Sequence, residues 1–418
     1  MIMKRTYIII VFLLLIGMTV SAQSPDMSFY TAEYNRSGAT VFDLLDILQV
    51  VSDDNLTGIG DFYQNAISVF IRSLPNFSGS NQRVAIEGAA RLILRGLAAE
   101  KHLPSATDIW YLIQYFDIAH QQNDGYLMYE ALVAMGQVGA KDYAYNIAEI
   151  LSGFNARATT NQELKSQIQR VVPGAVHALE TLCEPVGVKP ILIASAGWYD
   201  TDIRDIASVA LVNIIDALGE VIGDIIDDIM RDPFNSIAIK YKAWEELLHS
   251  RAPDNAKAKV AAAALEASYT AIGSTPDTMN QLRFMRMESI DTIRVLGVHK
   301  DHSDIVYAYL ERTYREAFET SNRDFESIIR VANTLSAVKS DEAVDLLTQF
   351  LRQINVRRQS GPWGTSERDI MYVLLQVIAN TKTQSSQTIQ LLRIMQGSSN
   401  YTGAEQGWVR NTLSILGF

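Results

Sequence analysis

Between Glu130 and Leu151 the apolar positions run along one helix face, break at a short polar turn, and resume. Ala131, Leu132, Met135 and Val138 fall at i, i+1, i+4 and i+7, a single helical stripe. Gly139 stands where a C-cap with positive φ is expected, and Asp142 where the following helix needs its N-cap. Ile147, Ile150 and Leu151 then form the facing stripe. One such pair cannot bury both of its faces, so similar pairs are expected on either side of it.

The same pattern recurs along the chain: an apolar helix, a small residue, a short polar turn, another apolar helix. First-helix ends are expected near Val51, Ala98, Gly136, Cys183, Gly219, His249, Gly297, Ala337, Ala379 and Gly417, a mean spacing of about 41 residues. No sustained period-2 alternation bounded by hairpin turns is present. Two amphipathic stretches, Val41 to Val51 and Asp61 to Leu74, predict an N-terminal helical cap within residues 23–83, and Trp408 to Phe418 a closing helix. The turn at Pro253 and Asp254 lacks glycine, and the alanine-rich helix after it, Ala256 to Ile272, permits close approach of its neighbours. Longer junctions are expected at 73–82, 154–161, 273–277 and above all from Ile354 to Ser366.

An Ala/Leu-rich first helix, a small residue, a polar turn with Asp and a Val/Leu-rich second helix together resemble the HEAT-repeat family. The match is clearest at 130–151 and 288–396. The resemblance implies an all-α, right-handed superhelical solenoid of antiparallel helix pairs over residues 84–418. It also implies a binding scaffold, because the family has no shared catalytic residues to carry over. A protein partner in the cell envelope is the expectation, met by shape on a surface lined by the second helix of each pair, with no cofactor.

The first 22 residues read as a targeting segment. Lys4 and Arg5 open it, Tyr7 to Met18 is an apolar run of about 12 residues, and Val20 and Ala22 place small residues before a cleavage position. That run is shorter than the roughly 20 residues of a membrane-spanning helix, and Gln23 stands where a lipid-bearing Cys would. The expected product is periplasmic or secreted, with no membrane span after cleavage. Its formal charge moves from −11 to −13 on loss of Lys4 and Arg5, which argues against nucleic acid and anionic membrane surfaces as partners. Cys183 is the only cysteine, so no internal disulfide can form, and its apolar helix setting reads as a buried, inert thiol.

Candidate chemistry is sparse. An acidic group at Asp224, Asp227, Asp228 and Asp232, with Glu220 one turn earlier, puts Glu220, Asp224 and Asp227 or Asp228 along one helix face that is either solvated or a partial cation site, although calcium wants six to eight oxygens. His299 and His302 flank a turn followed by Asp304, a weak zinc pattern or simply an exposed turn. These two features carry the alternative reading, a metal-dependent or hydrolytic envelope protein. No nucleophile elbow, phosphate-cradling loop or zincin motif is present, while composition alone leaves a carboxylate pair open. Arg357, Arg358 and Trp363 sit in the longest junction, either as a binding hot spot or as a helix end and a plug. Tyr126 and Tyr129, with Tyr143 and Tyr145, suit a recognition groove or the half-buried edge of a helix stack. The candidate partner-binding residues are therefore Arg357, Arg358, Trp363, Tyr126 and Tyr129.

Overall fold

A computed structural model describes residues 27–53, 59–77, 82–100, 106–319, 324–360 and 364–418. The expected targeting segment lies outside them. The described residues form twenty α-helices and four short 3-10 turns, with no strand among them. The chain divides into two compact units, one ending at Leu182 and the other starting at Cys183. Residue 83, where the expected cap ends, is the first residue of a helix in the first unit. Cys183 follows a helix end with φ of 53° and is half-buried, so the expected helical stripe stops one residue short of it.

The first unit holds α1 (Met27–Tyr34), α2 (Val41–Asp53), α3 (Gly60–Ser73), α4 (Arg83–Ala99), α5 (Ala106–Gln121), α6 (Gly125–Gln137), α7 (Ala144–Asn155) and α8 (Gln162–Leu182). Here α2, α4, α6 and α8 touch in succession, as do α1, α3 and α5, while α1–α2, α3–α4, α5–α6 and α7–α8 join the two series. The pairing of α6 with α8 is the most extensive among the described helices. It depends on two missing side chains. A Cβ on Gly136 would lie 2.7 Å from the Ala178 Cα, and one on Gly174 would lie 2.9 Å from the Tyr129 carbonyl oxygen.

Local chemistry explains where α6 begins and ends. The Asp124 side chain accepts from the backbone N–H groups of Tyr126 and Leu127, satisfying donors that have no helical partner. Gly139 adopts φ of 75° after the last turn, as the glycine there predicts. Asp142 does not cap the next helix. It lies in a 3-10 turn at Lys141–Tyr143, and Tyr143 occupies the cap position with no side-chain hydrogen bond. The turn leaves the aspartate one residue before the cap position.

The second unit holds α9 (Val188–Ala196), α10 (Thr201–Leu218), α11 (Val221–Arg231), α12 (Ile237–His249), α13 (Asp254–Thr270), α14 (Pro276–Leu296), α15 (Ser303–Glu319), α16 (Phe325–Val338), α17 (Asp341–Ser360), α18 (Thr365–Thr381), α19 (Ser386–Gly397) and α20 (Gly403–Leu416). The even helices α10 to α20 each touch the next even helix, and the odd helices α11 to α19 do the same. The ten expected first-helix ends all lie within two residues of the C-termini of α2, α4 and the remaining even helices. Glycine ends three of them at positive φ (Gly219, Gly297 and Gly417), while Lys339 and Lys382 take the left-handed position after α16 and α18.

Side-chain rungs tie the rows together. On the even row, the Thr334 hydroxyl reaches the Ile290 carbonyl at 3.2 Å, Ser336 the Val377 carbonyl at 2.9 Å, and Thr412 the Leu375 carbonyl at 3.4 Å. On the odd row, Tyr269 donates to Thr313 at 2.7 Å, and the Thr348 and Thr388 hydroxyls meet at 2.7 Å. All five bonds lie in buried or partly buried surroundings, where an unpaired polar group would cost about 1–3 kcal/mol. The alanine-rich α13 buries Ala261, Ala262, Ala263 and Ala264 almost completely, and the Ala256 backbone lies 3.0 Å from where a Gly223 Cβ would be. Small side chains let α11 and α13 approach closely.

Candidate functional site

The structure places four of the five expected partner-binding residues. Trp363 lies outside the described residues. The expected junction from Ile354 to Ser366 is shorter than its sequence suggests, because α17 continues to Ser360. Ile354 and Asn355 are buried there, and Tyr401 donates to the Asn355 side chain at 2.9 Å, so burial holds the helix together. Arg357 and Arg358 form its last turn, where cations suit the carbonyl end of the helix dipole. Arg357 donates to Glu367 at 3.1 Å, and an Arg358 nitrogen lies 3.9 Å from Glu405. Both glutamates are buried at the third position of their helices and accept from the cap residue's own N–H, Gly364 and Thr402 respectively. These arginines join α17 to the starts of α18 and α20.

In the first unit, Tyr126 is exposed, with the Arg170 guanidinium 4.9 Å from its ring centroid. Tyr129 is half-buried against Gly174. Tyr143 lines a groove of about 400 Å³ between α5 and α7, together with Phe116, Asp117, His120, Asn146, Glu149 and Arg157. Phe116 and His120 stack along one wall, with centroids 6.2 Å apart.

The acidic face of α11 is largely engaged by cations. Asp224 pairs with Lys259 of α13, and that hydrogen bond holds its carboxyl below the usual range. Asp227 is buried and accepts from Arg231 at 3.0 Å, while Arg231 reaches Glu266 of α13 at 2.6 Å. Asp232 accepts from Lys189 at 3.1 Å and from the Phe234 N–H at 2.9 Å. Asp228 is exposed. The histidine turn meets this network, with His302 Nε2 lying 3.6 Å from Asp227. Burial pushes the His302 imidazole toward the neutral form, against the pull of Asp227. Among the described residues, no three His, Cys, Asp or Glu side chains converge as a metal site.

A different place in the second unit combines space, an unpaired charge and exposed apolar groups. The end of α11, the first turn of α12 and the last turns of α13 line a half-open cavity of about 810 Å³. Its lining includes Arg231, Asn235, Ser236, Ile237, Lys240, Glu266 and Thr270. Ser236 caps α12 by accepting from the Ile239 N–H at 3.3 Å. Lys240 is only 5% exposed, and burial lowers its ammonium's affinity for the proton despite the carboxylates of Asp232 and Glu266. The sequence carried one sign of it. Lys240 stands four residues before Trp244 and seven before Leu247, on the apolar stripe of α12. What could not be read was the gap between the ends of three helices.

Comparison with protein-family models gives no match, and comparison with curated proteins gives none either.

Proposed function

We propose that the chain is an exported, non-enzymatic scaffold, a HEAT-like solenoid of helix pairs that holds a protein partner in the cell envelope. The observation that carries the reading is the spacing of the even-row rungs. Thr334, Ser336 and Thr412 reach carbonyls 44, 41 and 37 residues away, so corresponding faces of successive pairs meet at nearly the mean interval of the sequence pattern. A face repeated at that interval is a built-in ruler for an extended partner. The engagement of Asp224, Asp227 and Asp232 by Lys and Arg weighs against the metal-dependent alternative. Export is supported by Lys4, Arg5 and the apolar run that follows.

The architecture is tested by small-angle scattering. A compact chain of this length would have a radius of gyration of about 21 Å, and the solenoid reading expects a clearly larger value for the processed protein. The partner is tested by a photo-crosslinking residue at Tyr126 or Arg357 in envelope preparations. The expected result is one discrete adduct, competed away by the purified protein. A compact radius refutes the solenoid, and adducts that do not compete refute the scaffold.

A further inference from the structure

We infer that the cavity between α11, α12 and α13 binds an organic monocarboxylate with an apolar tail, and that Lys240 is the charge partner of its carboxylate. This inference does not depend on the scaffold reading.

The Lys240 residue is only 5% exposed, and a charge held in such surroundings is costly unless something compensates it. Both nearby carboxylates are already engaged, Asp232 with Lys189 and Glu266 with Arg231, and neither lies within ion-pair distance of Lys240. The cavity also receives the first turn of α12, a helix of 13 residues. The Ile237 and Ala238 N–H groups there have no helical acceptor by position, because Ser236 takes only the Ile239 N–H. Two donors and an ammonium on one side of a hollow describe a site for a small oxyanion.

Charge counting selects the anion. Arg231 also lines the cavity, but it is shared between Asp227 and Glu266. With the Lys189–Asp232 pair and Lys240, the charged groups here sum to zero, Arg231 answering two carboxylates with one charge. A monocarboxylate adds one negative unit beside Lys240, whereas a phosphate dianion would add two facing Glu266. The walls select the remainder of the ligand. Met230, Pro233, Ala263 and Ala267 line the cavity beside the polar end. Phe234 and Ile272, at 94% and 90%, are the most exposed large apolar residues described. Phe234 lies between two lining residues, and Ile272 is itself part of the lining. Ile272, a lining side chain left in water, is an energetic cost that an alkyl tail would remove.

Octanoate is the probe, titrated by calorimetry into the full processed protein, with octanamide and inorganic phosphate as comparisons. Saturable octanoate binding is expected, with octanamide at least about tenfold weaker, because the amide lacks the charge that Lys240 answers. Lys240→Met is expected to lower octanoate affinity by roughly tenfold or more while raising the melting midpoint, since it removes a buried unpaired charge. Ile272→Ser, at a solvated lining position after α13, is expected to weaken octanoate several-fold with no change in fold. Equal binding of octanoate and octanamide, or an unchanged affinity in Lys240→Met, overturns the role of Lys240. Unchanged affinity in Ile272→Ser overturns the location, and phosphate displacing octanoate overturns the choice of a monocarboxylate.

Discussion

Replacing a helical glycine by alanine has opposite consequences at two positions in the first unit. Gly153 lies inside α7 with nothing within 4 Å of a built Cβ. Alanine there gains the helix-propensity difference of about 1 kcal/mol and meets no neighbour. Gly136 lies inside α6, and its Cβ would stand 2.7 Å from the Ala178 Cα and 3.2 Å from the Ala178 Cβ. Carbon atoms prefer roughly 3.5–4.0 Å, so α6 and α8 would have to part by about 1 Å along their whole contact. A gap of that size loses a quarter to a half of the dispersion energy of the atoms facing it, which puts the cost near the top of the overpacking range, about 3 kcal/mol. After subtracting the propensity gain of about 1 kcal/mol, Gly136→Ala is expected to destabilise the first unit by roughly 2 kcal/mol. The corresponding loss of melting midpoint is about 4–8 °C, against a gain of about 2–4 °C for Gly153→Ala. Differential scanning calorimetry of the three proteins, resolved by unit, reads both signs. Equal midpoints for the two variants would refute the close approach of α6 and α8.

Three further outcomes follow from the second unit. His302 faces Asp227, Arg231, His299 and Lys259, and burial depresses its proton affinity. The neutral form is therefore favoured by folding, and stability present above the unfolded value of about 6.5 is lost as pH falls through the folded one. Melting midpoints between pH 7.5 and 5.5 should fall more steeply for the natural protein than for His302→Gln, and parallel slopes would contradict this. Glu405, 1% exposed, accepts from the Thr402 N–H at 2.7 Å beside Arg358 and Arg368, so Glu405→Ala should cost about 2 kcal/mol or more in urea unfolding. Glu405→Gln, which keeps an acceptor, should cost less. Trp244 is fully buried and its indole nitrogen has no partner, so Trp244→Ala should cost about 3–5 kcal/mol. Trp244→Phe should be far milder by the same measurement.

The helix ends were legible because they obey local rules. Gly139, Gly219, Gly297 and Gly417 take the positive φ that glycine tolerates best, and the apolar stripes before them run at helical period. Asp142 was misread because a 3-10 turn at Lys141–Tyr143 moved the cap by one residue, to Tyr143. The stretch after Ile354 resembled a loop because Gln, Asn, Arg and Ser dominate it. Contact between Asn355 and Tyr401, 46 residues later, makes it helix. For Arg357 and Arg358 the helix-end reading matches the pairs seen with Glu367 and Glu405. Lys240 carried a local sign, a lysine on an apolar stripe. Its meaning depended on three helix ends leaving a hollow, and no single stretch of sequence encodes that.

The hydroxyl rungs have a consequence for how this chain comes together. Each links residues only 37 to 44 positions apart, about a tenth of the 418-residue polypeptide. Such short loops close at little entropic cost, and chains rich in them assemble quickly. A polypeptide emerging gradually from a narrow exit would find the partner for each hydroxyl within the next few dozen residues. It could crystallise lap by lap behind the exit, with no early segment waiting on the last to arrive.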